Sequence, residues 1–580
     1  MNVKDFFDID IEISEIMTDS RKKTTDAVFF AIEGLSRDGH DFIEQAISNG
    51  AIMIVHSKDL ETYDPDVIYI KADDTLKCLN EFAAFFNDYP SKKMHVFGVT
   101  GTNGKTTISY MIYDILNRID SCGYIGTLGY AYDKSMHEQY YTTPTAEQLQ
   151  SILKEIYDNG CQNVAIEVSS QGLDLHRADT VDFDCVMFTN LTHDHLDYHK
   201  TFENYYKAKA KLFEIANKNG VAIINTDDEY GRRLYDECNI RKVSYGMDKG
   251  DYHLENVELS DNRSSFDIIH EEKHYHIESN LLALYNVYNI LCAFAALVES
   301  GYDPEVFIDF FKDISLIPGR MERIDEGQNF DVIVDFAHTP DGFNKIIDYA
   351  RSICQGKIIV TFGMAGSRDR LKRPIIGEIV DEKCDEIILT SDDNHYERFE
   401  DIANEIMEGI KKKKAMIIED RIEAIEYAIS RCQSGDCLLI LGKGDDDFNK
   451  VEDRKEPYPG DNNVAREILK RINDKEIGEG IMSELKEKEL ENVVGGSGRE
   501  GAVTVRVDLR DCGPFDRDVT IKPYLNGVLL ANQINTVDAS VEYVHIGIRG
   551  KGIALLTVNI NDTTVKYYDI DFDFESYTER

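Results

Sequence analysis

At 580 residues the chain is too long for one hydrophobic core, and 42% hydrophobic with 10% aromatic residues is typical of a folded protein of several domains. Its 64 basic and 107 acidic residues give a net charge of −43, which disfavours binding to nucleic acids and anionic membranes. The eleven cysteines show neither disulfide nor zinc spacing, and there is no signal segment or long apolar run, so a cytoplasmic location is predicted.

The first 475 residues predict three α/β domains in succession. Residues 1–90 mix strand patterns at 27–32, 51–55 and 67–70 with helical patterns at 41–48 and 75–86. Residues 91–317 predict strands at 95–100, 163–168, 185–189 and 221–225, with helices at 107–116 and 286–299. Residues 318–475 begin at Pro318-Gly319-Arg320 and predict strands at 332–335, 357–362, 386–389 and 437–441. Such alternation is typical of mostly parallel sheets covered by helices, the third one Rossmann-like.

The last hundred residues have a different pattern. Residues 476–500 are charged and then glycine-rich, which predicts a linker. Residues 501–580 contain short alternating runs and predict a small all-β module, with strands at 502–509, 519–523, 541–549, 553–560 and 564–572.

A glycine-rich segment lies between the predicted strand at 95–100 and the predicted helix at 107–116. It reads Gly98-Val99-Thr100-Gly101-Thr102-Asn103-Gly104-Lys105-Thr106-Thr107. A loop in this context binds phosphate, because its backbone N–H groups and the helix N-terminus face the anion. Lys105 is expected to reach the outer phosphates and Thr106 to hold Mg²⁺. Val99 stands where the strict Walker spacing has glycine, and an ordinary glycine turn is the alternative.

Acidic and imidazole groups follow two further strands of the same domain. Glu167 closes the strand predicted at 163–168, and His195 lies in the segment Thr189–His199 that follows the next strand. Ligands bind at the carboxyl ends of parallel strands, so Glu167 and His195 are predicted Mg²⁺ ligands. The three histidines of this segment leave a zinc site as the alternative, although nucleotide chemistry with hard oxygen ligands favours magnesium.

These segments occur in a fixed order with several others: Tyr141–Pro144, Ala208–Phe213, Asn286–Asn289, Gly319–Glu322, Asp335–Asp341 and Lys372–Pro374. This order resembles the Mur ligases and, within them, the MurE type, which are UDP-N-acetylmuramoyl-L-alanyl-D-glutamate–amino acid ligases. The resemblance covers residues 15–470. It implies a UDP-sugar-binding domain at 1–90, a central ATP-binding domain at 91–317 and an amino-acid-binding domain at 318–475.

The resemblance also implies a role for individual residues. The catalytic residues would be Lys105, Glu167, His195 and Lys209. The metal ligands would be Thr106, Glu167, His195 and Lys209. The nucleotide would contact Gly101, Thr102, Asn103, Gly104, Lys105, Thr106, Thr107, Asn286, Arg320, Asp335 and His338. The UDP-sugar peptide would contact Thr18, Ser20, Thr142, Thr143, Ser169 and Arg177. The amino acid would contact Arg368, Asp393, Asn394, Tyr396, Gly442 and Asp446.

The implied reaction is ATP-dependent, ADP-forming amide synthesis for peptidoglycan. The D-glutamyl carboxylate of UDP-MurNAc-L-Ala-D-Glu takes the γ-phosphoryl group, and the amine of the incoming amino acid then displaces phosphate from the acyl phosphate. Two Mg²⁺ ions and a carbamylated Lys209 are implied as cofactors. Because water would destroy the acyl phosphate, the third domain is expected to close over the central one.

The amino-acid signature of this family is D-N-P-R, whose arginine binds the distal carboxylate of meso-diaminopimelate. This chain has Asp393-Asn394-His395-Tyr396, and the usual G-K-G-H-E reads Gly442-Lys443-Gly444-Asp445-Asp446. Tyrosine cannot form a bidentate clamp on a carboxylate. With Arg368 left for the α-carboxylate, the acidic residues Asp393, Asp445 and Asp446 favour a cationic side chain. The sequence therefore predicts L-lysine or L-ornithine.

Other departures leave alternatives open. Tyr141 stands where the family has asparagine and Leu175 where it has glutamine, both among the implied UDP-sugar contacts. Such drift is compatible with a ligase recruited to specialised peptide biosynthesis. In the tail, residues 482–496 end in Gly495-Gly496 and resemble a double-glycine leader, which would be cut by a peptidase-containing transporter. A plain amphipathic linker is the alternative for residues 482–496. A further alternative is a ligase-derived protein whose leader-like tail and β-module act as a processed or interacting product.

Overall fold

The structure is a computed structural model that describes residues 1–34, 37–133, 135–260, 262–315, 317–452 and 454–472, and beyond them only six short strands between 501 and 560. The chain divides into two compact units, Met1–Asp474 and Lys475–Arg580. In the described parts no helix combines the length and apolarity needed to cross a membrane. The leader-like segment and its proposed cleavage after Gly496 lie outside the described residues.

The N-terminal part of the first unit is a four-stranded parallel sheet in the order β1-β2-β3-β4. Its strands are β1 Glu15–Met17, β2 Ala27–Phe30, β3 Ala51–His56 and β4 Ile68–Lys71. The helices are α1 Lys4–Phe7, α2 Ile43–Ser48 and α3 Thr75–Phe86, and a 3₁₀ turn spans Gly39–Phe42. Asp74 caps α3, because its carboxylate accepts hydrogen bonds from the amides of Leu76 and Lys77.

The central part is a ten-stranded sheet in the order β14-β13-β12-β11-β10-β9-β5-β8-β6-β7. The strands are β5 His95–Thr100, β6 Cys122–Gly126, β7 Gly129–Ala131, β8 Asn163–Glu167, β9 Cys185–Phe188, β10 Val221–Asn225, β11 Arg241–Gly246, β12 Tyr252–Leu259, β13 Ser264–His270 and β14 Lys273–Ser279. Its helices are α4 Lys105–Ile119, α5 Ala146–Asp158, α6 Ser170–Asp174, α7 Leu196–His199, α8 Phe202–Ile215, α9 Glu229–Glu237, α10 Leu284–Glu299 and α11 Pro304–Phe307, with 3₁₀ turns at Pro90–Lys93 and Ile308–Asp313.

Strand β5 lies in the middle of this sheet, parallel to β8 on one side and β9 on the other. Five of its six residues are fully covered, which explains the continuous apolar run that marks it in the sequence. The chain leaves β5 towards β6 and β8 in one direction and returns through β9 in the other. This reversal is the point at which open α/β sheets bind ligands. The loop after β5 therefore lies where the sheet topology favours a nucleotide.

The third part is a six-stranded sheet in the order β15-β16-β20-β17-β18-β19, parallel except for β15. The strands are β15 Glu322–Arg323, β16 Asp331–Asp335, β17 Ile358–Phe362, β18 Glu386–Leu389, β19 Ala415–Ile417 and β20 Cys437–Leu441. A separate hairpin follows, β21 Phe448–Val451 with β22 Arg454–Pro457. Helices α12 Pro340–Ile353, α13 Lys372–Lys383, α14 Phe399–Met407, α15 Arg421–Arg431 and α16 at 461–472 complete it.

The second unit is β-structured where it is described. Strands β23 Gly501–Asp508 and β28 Ile553–Ile560 pair antiparallel over eight residues. The shorter strands are β24 Arg517–Val519, β25 Tyr524–Leu525, β26 Val528–Leu529 and β27 Ile546–Ile548, and they pair β24 with β27 and β25 with β26. The predicted β-character of 501–580 holds for these strands, while the run predicted at 564–572 lies outside the described residues.

Two elements of the central part differ from the sequence-based expectations. The helix expected from residue 107 begins at Lys105, so Lys105 and Thr106 belong to the first helical turn. Strands β12 to β14 form an antiparallel extension that the sequence did not predict. Each of the three sheets of the first unit lies within one of the predicted ranges 1–90, 91–317 and 318–475.

Candidate active site

The loop between β5 and α4 is a tight turn held against neighbouring strands. Gly104 has φ +93°, and a Cβ there would lie 2.5 Å from Asn289 Oδ1, so only glycine fits. The amides of Thr102 and Asn103 donate to the backbone oxygen and the side-chain oxygen of Asn190. Lys105 Nζ donates to the carbonyl oxygens of Gly101 and Thr102, at 3.0 and 2.9 Å. Its ammonium is thereby held over the loop, and burial lowers its pKa.

Glu167 is a fully buried carboxylate at the end of β8 and beside the loop. Thr106 Oγ1 donates to its Oε2 at 3.0 Å, and the hydroxyl of Thr127 does so at 3.1 Å. The phenol of Tyr124 and the amide of Thr127 donate to Oε1, at 2.5 and 2.8 Å. Four donors thus fix this carboxylate against the first turn of α4. Tyr124 and Thr127 were not anticipated from the sequence.

His195 begins helix α7 in a left-handed conformation, with φ 52°. Burial lowers its pKa to about 3, so the imidazole is neutral at physiological pH and keeps a lone pair for a cation. His199 lies one turn on, its Nε2 2.9 Å from Ser170 Oγ, and burial lowers its pKa to about 4. Among the described residues no group of three or more His, Cys, Asp and Glu side chains is arranged to hold a metal.

Lys209 is almost completely buried on helix α8, although the sequence around it is that of a surface helix. Its Nζ donates to Gly101 O at 2.7 Å and lies 4.5 Å from the centre of the Tyr205 ring. Burial, and then the charge of Lys105, hold the pKa of Lys209 well below its usual range. The lowered pKa favours the uncharged form of this amine, which lies directly behind the phosphate loop.

Asp194 connects the central domain with the third. Lys372 Nζ, at the start of α13, lies 3.1 Å from Asp194 Oδ1, and His338 Nε2 lies 3.5 Å from Oδ2. Burial alone would raise the pKa of Asp194. The charges of Lys372, His195 and His338 nevertheless hold this pKa well below its usual range. The neighbouring His193 Nε2 lies 3.0 Å from Asp369 Oδ2. These contacts hold the two domains closed over the loop.

Three residues expected at the nucleotide lie on the third domain's side of the cleft. The guanidinium of Arg320 stacks over Phe336 at 4.2 Å. Asp335 accepts from the amides of Met321 and Ala337, both at 2.7 Å, and burial raises its pKa. His338 is half-buried, and Asn103 of the loop donates to Asp341 Oδ2 of the same domain at 2.9 Å.

One cleft of about 1050 Å³ joins most of the expected residues. Its lining includes, from the central domain, Thr102, Asn103, Gly104, Lys105, Thr106, Thr107, Glu167, His195, Lys209 and Asn286, and from the third domain Arg320, Asp335, His338, Arg368, Asp393, Gly442 and Asp446. Thr142, Thr143, Ser169 and Arg177 line the same cleft. Gly101, Thr18, Ser20, Asn394 and Tyr396 are not part of its lining.

The residues expected at the UDP-sugar peptide fall into two groups. Thr143 Oγ1 donates to Glu167 O at 2.9 Å and accepts from the amide of Ser169, while Arg177 donates to Thr143 O at 2.8 Å. These side chains form one wall close to Glu167. Thr18 and Ser20 belong to the N-terminal domain. Thr18 donates across to Glu147 of helix α5 in the central domain, whereas Ser20 donates to Gln45 of its own domain.

At the amino-acid end, Asp393 is not an available anion. Its Oδ1 accepts from Lys443 Nζ at 2.8 Å and from the amide of Lys450 at 3.0 Å, and the Lys443 side chain is fully buried. Asp393 lines the cleft, but an internal lysine already balances its charge, so its contact with a cationic substrate stays a prediction with less support. Gly442 has φ +112° and a Cβ there would lie 2.9 Å from Asp392 Oδ2, so glycine is required beside this cluster.

Burial, followed by the charges of the neighbouring aspartates, raises the pKa of Asp446 to about 7, although Lys443 opposes this. The native protein then binds a proton that the unfolded chain has lost above about pH 4, so stability falls as pH rises from 4 to 7. We expect Asp446→Asn to raise stability by on the order of 2 kcal/mol at pH 8, allowing for solvent screening, and hardly at all at pH 4. Thermal unfolding at both pH values measures this, with the exposed Asp447→Asn as control. Equal effects at the two pH values would contradict it.

Three family descriptions match this chain in succession. Residues 12–87 match "Mur ligase family, catalytic domain", residues 99–297 match "Mur ligase middle domain", and residues 319–444 match "Mur ligase, glutamate ligase domain". Together these ranges contain the three sheets of the first unit except for residues 95–98 of β5.

Relatives of known activity are similar over the same region. A protein of Clostridium acetobutylicum named UDP-N-acetylmuramoyl-L-alanyl-D-glutamate–2,6-diaminopimelate ligase 1 is 38% identical over 473 residues, 80% of this chain and 96% of its own length. The corresponding ligase of Aquifex aeolicus is 39% identical over 460 residues, 79% of this chain and 94% of its own length.

Solved structures share the fold. A UDP-N-acetylmuramoyl-L-alanyl-D-glutamate–2,6-diaminopimelate ligase has a TM-score of 0.58 at 27% identity, covering 82% of this chain and 99% of that one. A MurF ligase of Thermotoga maritima in complex with ADP has a TM-score of 0.57 at 19% identity, over 80% and 98% of the two chains.

Proposed function

The chain belongs to the Mur ligase family, and from this we propose that it joins an amino acid to the D-glutamyl carboxylate of UDP-N-acetylmuramoyl-L-alanyl-D-glutamate, forming ADP and phosphate. Members of this family are ATP-dependent amide ligases of peptidoglycan synthesis, and the relatives of this type are matched over nearly their whole length. The proposed partners are thus a UDP-sugar peptide and a free amino acid.

One observation carries the proposal. The phosphate loop with Lys105, the carboxylate of Glu167 and the closing groups Lys372 and His338 meet in a single cleft whose other end belongs to the third domain. Such a cleft allows a carboxylate to meet the γ-phosphate of ATP at one end and an amine to enter from the other. Lys105 is placed to neutralise charge that develops on the phosphoryl oxygens during transfer.

The residues beside the loop suit Mg²⁺. A hydroxyl and a carboxylate lie 3.0 Å apart at Thr106 and Glu167, and the imidazole of His195 is neutral. Magnesium needs few protein ligands, because it keeps water and takes phosphate oxygens. We assign Thr106, Glu167 and His195 as the residues that would hold it. When bound, Mg²⁺ supplies positive charge to the transferring phosphoryl group.

Lys209 suits carbamylation. Only an uncharged amine attacks CO₂, and the burial that lowers the pKa of this lysine favours that form. The Nζ–C bond forms as one C=O bond of CO₂ opens, and a proton of Nζ leaves. The resulting carbamate would place a negative charge near Lys105 and would serve a second Mg²⁺.

The identity of the amino acid that is joined to the D-glutamyl carboxylate is a separate question. The expectation of L-lysine or L-ornithine stays a prediction, but it now rests on less, since Asp393 is bonded to Lys443 and the raised pKa of Asp446 leaves it partly protonated at neutral pH. Asp445 also has a raised pKa, because it is buried. We propose Arg368 as the contact for the α-carboxylate, since it lines the cleft at this end.

The test is phosphate release from ATP and Mg²⁺ with UDP-MurNAc-L-Ala-D-Glu and, in turn, meso-diaminopimelate, L-lysine and L-ornithine. We expect release to require both the acceptor and one amino acid, and mass spectrometry to detect the UDP-muramoyl tripeptide. An absence of acceptor-dependent release with every amino acid would contradict the proposal. Release with other carboxylate acceptors alone would instead favour recruitment to specialised peptide synthesis.

A further inference from the structure

Strand β19 forms one edge of the sheet in the third domain, and its side chains are apolar for an exposed edge. Among the described residues it pairs only with β18, in parallel register. Met416 and Ile417 are 44% and 47% exposed, although both are large apolar side chains. An edge strand of this kind offers backbone groups and apolar surface to a further strand.

The outer side of β19 carries backbone groups in the spacing that a further strand requires. The amide of Ile418 donates inward, to Leu389 O at 2.9 Å. Because successive residues of a strand direct their amide and carbonyl groups to opposite sides, those of Ala415 and Ile417 are directed away from β18. Two such residues with one position between them match the hydrogen-bonded pairs of an antiparallel ladder. The outer edge therefore suits an antiparallel strand.

The two ends of β19 carry opposite charges. Four lysines, Lys411–Lys414, precede the strand, and the exposed residues Glu419 and Asp420 follow it. The amides of the first three lysines all donate to the buried carboxylate of Asp381, which fixes this basic run at the edge of the sheet. In a chain of net charge −43, four consecutive lysines are a local exception. They favour a partner that presents carboxylates beside an exposed strand.

A second copy of the same segment meets this requirement when it runs antiparallel. With the two-fold axis at Met416, Ala415 of each copy faces Ile417 of the other, and both pairs exchange backbone hydrogen bonds. The same register brings the basic run of each copy to Glu419 and Asp420 of the other. Opposite charges across two strands stabilise the pairing. A parallel arrangement would instead place lysines against lysines.

A cavity of about 310 Å³ lies beside the position of this two-fold axis. Ile388 and Tyr427 line it together with Met416. Both copies of Met416 project to the same side of the joined sheet, because directly opposite residues of an antiparallel pair share a face. The cavity of each copy therefore offers an apolar site for the thioether side chain of the other.

We propose that the β19 edge is an interface between two copies of this chain, which dimerise by antiparallel pairing of β19 about Met416. Lysines that stand on an edge strand prevent such pairing, but here they precede the strand and face the acidic end of the other copy. An interface of this length is small, so the dimer is weak. Strand β19 is not part of the lining of the cleft, so dimerisation does not depend on the ligase function.

Cysteine substitution tests the register of the pairing. In the proposed dimer the Cα atoms of the two copies of residue 416 lie about 4.5 Å apart, a distance that a disulfide spans. Met416→Cys should therefore form a covalent dimer under mild oxidation, seen on a non-reducing gel. Ile417→Cys is the matched control, because it is equally exposed but its two copies lie about 8 Å apart, too far for a disulfide. Equal cross-linking of both variants, or none of Met416→Cys above the unmodified protein, would overturn the proposal.

Charge reversal tests the pairing without a covalent bond. Sedimentation velocity of the full chain between about 1 and 100 µM, the range in which a small interface dissociates, should show a concentration-dependent dimer. The double variant Lys412→Glu/Lys414→Glu makes the basic run neutral overall, and Glu419→Lys does the same to the acidic end. Each should raise the Kd of the dimer about 10-fold, because the attraction between the two ends is lost.

Mixing the two charge variants separates the loss of this contact from damage to the fold. In the mixed dimer one basic run again faces one acidic end, so an equimolar mixture should associate more tightly than either variant alone. A misfolded variant would not be rescued by the other. A monomer at every concentration of the unmodified protein, or a mixture no tighter than its components, would overturn the proposal and leave the ligase function standing.

Discussion

Replacing Lys105 with alanine is expected to lower the rate of acceptor-dependent phosphate release about 1000-fold. Its ammonium is held over the loop by the carbonyl oxygens of Gly101 and Thr102, in a cleft that the third domain covers. In such a site a positioned charge stabilises the transition state by about 4 kcal/mol, which corresponds to a thousandfold in rate. Single-turnover measurement of ADP formation with saturating substrates gives the value directly.

A loss of folding must be separated from this loss of catalysis. Lys218→Ala removes an exposed lysine from the same domain and should leave both the rate and the Tm unchanged. Because Lys105 is partly desolvated, Lys105→Ala should not lower the Tm by more than the control does. Retention of more than a tenth of the rate would contradict the assignment of Lys105 to the phosphates.

Replacing Lys209 with methionine should lower the rate of acceptor-dependent phosphate release about 100- to 1000-fold, because it removes the carbamate that we propose near the second Mg²⁺. The unmodified protein should lose activity in CO₂-depleted buffer and regain it when bicarbonate is added. With ¹³C-bicarbonate, a carbamate resonance should appear in the unmodified protein and be missing from the variant. Methionine is long and apolar enough to fill the buried position.

Lys207 provides the matched control for this experiment. It lies two residues away on the same helix, but its side chain is 66% exposed and pairs with Glu203 at 3.6 Å. Lys207→Met should keep the rate and the ¹³C signal. Full activity of Lys209→Met would contradict any catalytic role for Lys209, and an activity that does not depend on bicarbonate would contradict its carbamylation.

Most of the parallel strands could be predicted because their burial on both faces leaves a continuous apolar run, as in β5 and β20. The hairpin of β13 and β14 was missed for a specific reason. Its turn places Glu271 and Glu272 at φ 47° and 65°, a left-handed pair that usually signals itself by Asn-Gly or Asp-Gly. Two glutamates adopt it here, so the sequence carries no turn signal at that point.

For the site, the phosphate loop could be predicted from its strand–loop–helix pattern, and Glu167 from its place at the end of another predicted strand of the same domain. The pairing of Asp194 with Lys372 was not, since it exists only when two domains close. Asp393 and Lys443 are similarly far apart in the chain, so composition suggested an acidic pocket where the fold has an internal ion pair.

The two ends of the cleft belong to different domains of the first unit, so a substitution at one end need not affect the other. The loop, Glu167 and Lys209 lie in the central domain, whereas Arg368, Gly442, Lys450 and Lys455 all lie in the third. Substitutions in the third domain can therefore reshape that end of the cleft while Lys105, Glu167 and Lys209 keep their surroundings in the central domain.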